Sequence, residues 1–146
     1  MSHPSSSASL GAALRVYLDA RDLAMAAARR SLGISEMDAR ALLFIVGNPG
    51  TRPTTLREYL GITSAGVTTL IDRLVERDVV RRDVDETDRR VNRITATIDA
   101  AVEPWSILNR FDDDFDTATV AKDRIQTLAF AHLLDELTAT TVAARR

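Results

Sequence analysis

The stretch Thr63-Ser-Ala-Gly-Val-Thr-Thr-Leu-Ile-Asp-Arg-Leu-Val-Glu-Arg77, followed by the run Asp85-Glu-Thr-Asp-Arg-Arg90, decides how this chain folds. In the first segment Val67, Leu70, Ile71, Leu74 and Val75 recur at three- and four-residue steps, which predicts a helix with one buried stripe. Its other face carries Ser64, Thr68, Thr69, Asp72, Arg73 and Glu76, and Thr63 offers a hydroxyl to cap the start. Behind it, Val79 to Val84 and Arg90 to Thr95 are β-branched in places and joined by the polar Asp85 to Asp88. That pattern predicts a two-stranded hairpin with Arg89 and Arg90 at its tip.

Reading toward the N-terminus, Thr55 and Glu58 are spaced as a capping box for a short helix containing Leu56, Tyr59 and Leu60, with Gly61 as its exit. Two short helices across a tight turn, the second amphipathic, describe a helix-turn-helix. Before it, Gly47, Asn48, Pro49 and Gly50 end a helix opened by Ser35. Asp38 stands there as a shortened capping box, and Met37, Ala41, Leu42 and Ile45 form the apolar stripe. Leu10, Leu14, Tyr17, Leu18 and Met25 predict a long first helix ending at Gly33. Met1 to Ser9 is small, polar and expected to fray.

Toward the C-terminus, Thr97 is read as the cap of a further helix through Ala101, Val102, Trp105 and Leu108, with Pro104 in its first turns or as a kink. Asp112, Asp113, Asp114 and Asp116 are read as a break whose carboxylates complement the N-terminus of a last helix, about Thr117 to Ala143. The expected fold is mainly α with a small β-hairpin. A tail (1–9) leads to an N-terminal helix (10–33), a winged helix-turn-helix (34–97) and C-terminal helices (98–146).

The 146 residues, 45% of them hydrophobic, suffice for one core and argue against wholesale disorder. No run of about 18 apolar residues crosses a membrane, and the N-terminus lacks the pattern of a signal peptide, so a cytoplasmic protein without membrane partners is expected. Cysteine is absent, which removes disulfides, thiolate metal sites and thiol redox sensing. His3 and His132 lie at opposite ends, so no histidine-rich metal site is expected, and no cofactor. The net charge of −2 hides an uneven distribution. Residues 52–93 hold nine arginines against eight acids, whereas the rest holds ten cations against thirteen acids. The basic excess is small and local.

A helix fits the major groove of B-DNA, where residues near its N-terminus reach base edges and phosphates. Ser64, Thr68 and Thr69 are short hydroxyl-bearing side chains that permit close approach, and Arg73, one turn on, has the reach for a phosphate or a guanine. Arg89 and Arg90 are placed to enter a narrow minor groove. Asp85 and Asp88 then belong to the scaffold of the turn, orienting the arginines through bidentate pairs, and Asp72 is placed to dock a wing arginine onto the helix. For Arg81, Arg82 and Arg93, phosphate contact and simple solvation are equally open readings.

This arrangement closely resembles the MarR family of winged-helix transcriptional regulators, over nearly the whole chain. The wing signature Asp-x-x-Asp-Arg-Arg stands at Asp85, Asp88, Arg89 and Arg90. Thr68, Thr69, Leu70, Asp72, Arg73 and Leu74 match the family's recognition helix. The chain departs just after the wing, where the family's Leu-Thr and later Gly are replaced by Ala96, Thr97 and Ala100.

The resemblance implies a homodimer, joined by the first and last helices, that sets two recognition helices on a pseudo-palindromic double-stranded DNA operator. Leu128, Leu133, Leu134 and Leu137 independently call for such a partner, since a small winged-helix core cannot cover them. It further implies repression released by a small aromatic or phenolic ligand bound between the dimerisation helices and the DNA-binding lobe. Tyr17, Phe44, Trp105 and Phe111 are the candidates for its pocket, with ordinary packing as the alternative for each.

An enzyme is not expected: no nucleophile with a neighbouring base, glycine-rich phosphate loop or ligand cluster occurs. A winged helix used for protein contact is the stronger rival. The hydroxyls and arginine of the exposed face, with little large apolar area, favour DNA.

Overall fold

The structure is a computed structural model that describes residues 9–84, 87 and 92–145. The chain divides into two compact units, Met1–Asn109 and Arg110–Arg146. The first holds α1 (Leu10–Leu32), α2 (Glu36–Gly47), α3 (Pro53–Leu60), α4 (Ser64–Glu76), β1 (Val80–Val84), β2 (Asn92–Ala96) and a 3-10 turn, Trp105–Leu108. The second holds α5 (Arg110–Val120) and α6 (Arg124–Ala143). A mainly helical chain with one antiparallel hairpin is the fold class that the sequence predicts. No described helix is long and apolar enough to cross a membrane.

Each helix of the first unit has local punctuation. Ser9 caps α1 by accepting from the Ala12 amide, and Gly33 ends it in the left-handed region at φ 60°. The amides of Gly33 and Ile34 return to the carbonyls of Arg30 and Arg29, a Schellman motif that turns the chain toward α2. Ser35 caps α2 through the Asp38 amide, and Thr63 caps α4 through the Gly66 amide. At the end of α4 the amides of Asp78 and Val79 bond the carbonyls of Val75 and Leu74, the same motif with aspartate at φ 56°.

The core of this unit gathers one stripe from each element: Ala39, Leu42 and Ile45 of α2, Leu56 and Leu60 of α3, Val67, Leu70, Ile71 and Leu74 of α4, and Ile94 of β2. The hairpin pairs Val80 with Ala96, Arg82 with Ile94 and Val84 with Asn92. Ile94 also forms a bridge with Thr51, its amide donating to the Thr51 carbonyl at 2.8 Å. The hairpin is thereby rooted on the α2–α3 loop as well as on its own partner strand. That matters because an isolated two-stranded hairpin is marginal in water.

Three expectations are corrected. The short third helix starts at Pro53, with Arg52 as a cap residue lacking a side-chain cap bond, and not at a Thr55–Glu58 capping box. Proline at the first helical position has no amide to leave unbonded and its φ is already helical, so it starts the helix three residues early.

The stretch after Thr97 is a series of turns ending in the 3-10 turn, and not a continuous helix. The Asp99 side chain accepts from the Ala101 amide, Pro104 lacks an amide, and the Thr97 hydroxyl donates to the Asp78 carbonyl instead of capping a helix.

The acidic cluster is not a break. Asp112 and Asp113 occupy the first turn of α5, and the interruption falls at Ala121, Lys122 and Asp123, where Asp123 caps α6 through the Gln126 amide. Carboxylates do sit at a helix N-terminus, but it is that of α5.

In the second unit neither helix has a buried residue. Ile125, Leu128, Phe130, Leu133, Leu137 and Val142 of α6 are all exposed.

Candidate nucleic-acid interface

One side of α4 is sealed by Val67, Leu70, Ile71 and Leu74, so the other is displayed. Ser64, Thr68 and Thr69 lie exposed along it. The hydroxyls of Thr68 and Thr69 donate to the carbonyls of Ser64 and Ala65, which fixes their rotamers and leaves oxygen lone pairs facing outward. Arg57 of α3 donates to the Ser64 hydroxyl at 3.0 Å, tying the two helices across the turn.

Arg73 lies exposed on the same helix, but its guanidinium is engaged. Nε and Nη2 fork onto the two carboxylate oxygens of Asp38 at 3.2 and 2.5 Å. Asp38 is buried, with 8% of its side chain exposed against 47% for Arg73. That bond holds Arg73 above its ordinary pKa, partly offset by desolvation. Asp72, next along α4, accepts from Arg82 of β1 at 2.5 Å, which fastens helix to hairpin. Arg81 pairs with Asp83 at 2.9 Å within β1. The Arg81 bond, with a smaller share from Thr95, holds the Asp83 carboxyl below its usual value. Arg93 reaches the Gly50 carbonyl at 3.2 Å.

Of the wing residues singled out by sequence, Asp85, Asp88, Arg89 and Arg90 lie outside the described residues. The aromatic candidates fall in both units. Phe44 and Trp105 are partly buried against the core of the first, Tyr17 is on α1, and Phe111 belongs to α5. Phe44 stacks on Tyr59, ring centroids 4.2 Å apart at 24°, and the Arg40 guanidinium lies 5.8 Å from the Tyr59 ring centroid.

Sequence reasoning passed over four participants: Asp38 as a long-range ion-pair partner, Arg57, Tyr59 and Arg77. Arg77 donates to the carbonyls of Gly33 and Leu32 at the end of α1, at 2.6 and 2.8 Å. Asp38 and Arg73 are separated by 35 residues, and no local pattern announces such a pair.

A short helix, a tight turn, a second helix with a displayed polar face, and a hairpin fastened to that helix define a winged helix-turn-helix. Residues 32–91 match the family model described as MarR family, and over this stretch the chain is similar to that family. Among solved structures, S. aureus MepR bound to ethidium bromide is similar with a TM-score of 0.68 at 14% identity, covering 91% of this chain and 96% of that one. A mutant S. aureus MepR bound to an oligodeoxyribonucleotide gives 0.58 at 16% identity, with 91% and 98% covered. A crystal structure of MarR gives 0.61 at 18% identity, with 99% and 98% covered. At these identities the likeness is one of fold. No curated protein sequence matches the chain.

Proposed function

We propose that this chain is a sequence-specific DNA-binding transcriptional regulator that acts as a homodimer on a pseudo-palindromic operator. The observation that carries the reading is the displayed face of α4, where Ser64, Thr68 and Thr69 stand exposed on a helix braced by Asp72–Arg82 to the hairpin behind it. Such a face is narrow and polar enough for a major groove, and its small side chains let the backbone approach phosphates. Arg73, Arg89 and Arg90 supply the positive contacts, and Asp85 and Asp88 hold the wing turn. Arg73 reaches DNA only by sharing its guanidinium with Asp38 or by leaving it. The bound oligodeoxyribonucleotide in the similar MepR structure supports the reading.

Dimerisation is supported by the exposed apolar residues of α6 and, in the other unit, by exposed Val16, Leu18 and Leu23 of α1. Repression, with release by a small aromatic ligand, is the regulatory mode, supported by the MepR structure bound to ethidium bromide. A ligand that binds one arrangement of the two heads better than the other shifts DNA affinity by that difference.

The test is fluorescence anisotropy of the purified protein with duplex DNA from its own upstream region against a scrambled duplex, across a salt series. The reading requires saturable preference for the native duplex that falls steeply with salt. Equal, weak binding to both, together with failure of a genome-wide fragment selection, would turn the assignment toward a protein-binding winged helix.

A further inference from the structure

The C-terminal end of α4 presents two arginines four residues apart, Arg73 in its last turn and Arg77 as its cap, that grip the same corner of the fold. Arg73 holds Asp38, in the first turn of α2, and Arg77 holds the carbonyls of Leu32 and Gly33, where α1 ends. Between these attachments lies the α1–α2 corner, Gly33-Ile34-Ser35. The Schellman bonds use the carbonyls of Arg29 and Arg30, so those of Leu32 and Gly33 are left to other donors, and the Arg77 fork takes both. A cation there also lies at the negative end of the α1 dipole.

We propose that Arg77 is a positioning residue for DNA recognition: its fork onto the end of α1 fixes the pitch of α4 relative to α1, without itself touching DNA. This rests on the DNA-binding reading above. Physically, the dispersion contacts of an apolar stripe are collectively large but non-directional, so they hold α4 against the core more firmly than they specify its angle. Two directional anchors at one end remove that freedom. Arg77 contributes the one that reaches α1, and Arg73 contributes the one that reaches α2. A tilt of α1 is thereby passed to α4 through two hydrogen bonds rather than through packing alone. Lysine is a poorer substitute, since its ammonium donates from one rotatable point and lacks the rigid planar fork that meets two carbonyls side by side.

The test uses full-length Arg77→Gln and Arg77→Lys. A nitroxide pair is placed on α1 and α4 through Arg30→Cys and Thr69→Cys, which label cleanly because the chain has no cysteine of its own. Labelled chains are diluted in unlabelled ones, and the α1–α4 distance distribution is read by double electron–electron resonance. Anisotropy across a salt series is measured on the unlabelled variants.

Both substitutions should broaden the distance distribution and weaken binding to the native duplex by about fivefold or more. The slope of log K against log salt should stay that of wild type, because no phosphate contact is lost. A slope reduced by about one unit would make Arg77 a phosphate ligand and overturn the proposal. So would an unchanged distance distribution, or full recovery of affinity in Arg77→Lys. If wild type prefers no duplex, the DNA reading fails by itself. The distance measurement then still decides whether Arg77 sets the pitch of α4.

Discussion

The ion pair between Arg73 and Asp38 is lopsided, and its two halves should not be equally costly to remove. Asp38 is buried while Arg73 is half in solvent, so deleting Arg73 strands a carboxylate with little access to water. Breaking a buried pair in that way costs about 3–5 kcal/mol, and the exposure of Arg73 places this case at about 3. Asp38→Asn, by contrast, leaves a neutral side chain with an acceptor oxygen and an arginine free to swing into solvent. The loss is then of a charge-assisted bond partly replaced by hydration, about 1–1.5 kcal/mol.

Urea unfolding at one protomer concentration reads the difference, since any association would make stability depend on concentration. With a slope of about 2 kcal/mol per M, the Arg73→Ala midpoint should lie roughly 0.8–1 M below that of Asp38→Asn. The double variant should cost less than the two singles together, because the stranded charge is gone. If Asp38→Asn proves as costly as Arg73→Ala, the asymmetry of burial does not govern this pair and the reasoning fails.

Other outcomes follow from the same geometry. Asp78 adopts φ 56°, so Asp78→Gly should stabilise the fold by about 1 kcal/mol, seen as a rise in thermal midpoint. Ile94 is fully buried where the hairpin meets Thr51, and Ile94→Ala should cost about 3 kcal/mol in urea unfolding, where a loss below about 1 would deny it a core role. The Asp72–Arg82 pair is half-exposed on both sides. Asp72→Ala should therefore change stability by less than about 1 kcal/mol while lowering DNA affinity measurably by anisotropy, and Arg90→Ala should lower it strongly with folding retained. Asp83 has a folded pKa below its unfolded one, so its pair adds stability above the unfolded value, and that contribution fades as pH falls through the folded one. A carboxyl titration followed by NMR should show Asp83 returning toward its ordinary value in Arg81→Gln.

Much of the frame was legible because it depends on local chemistry. The stripe from Val67 to Leu74, the Thr63 and Ser35 caps and the glycine exits at Gly33 and Gly61 act within a few residues, and they are where the sequence puts them. The misplaced boundaries have equally local causes. Proline at position 53 outranked a threonine cap, and a carboxylate cluster that suits a helix start was credited to the wrong helix. The links that orient the candidate interface were not legible. Arg77 looks from sequence like any terminal arginine, and only the return of α1 past the end of α4 gives it two carbonyls to hold. Asp38 reads as a capping residue, because its partner lies 35 positions away.

The rooting of the hairpin has a consequence for how such a protein can diverge. Its base is held by the Thr51–Ile94 bridge, by Arg82 on Asp72 and by the Thr97 hydroxyl on the Asp78 carbonyl. None of those attachments draws on a residue between positions 85 and 91. The base of the hairpin can therefore be inherited unchanged while selection for a new target acts on residues that take no part in holding it.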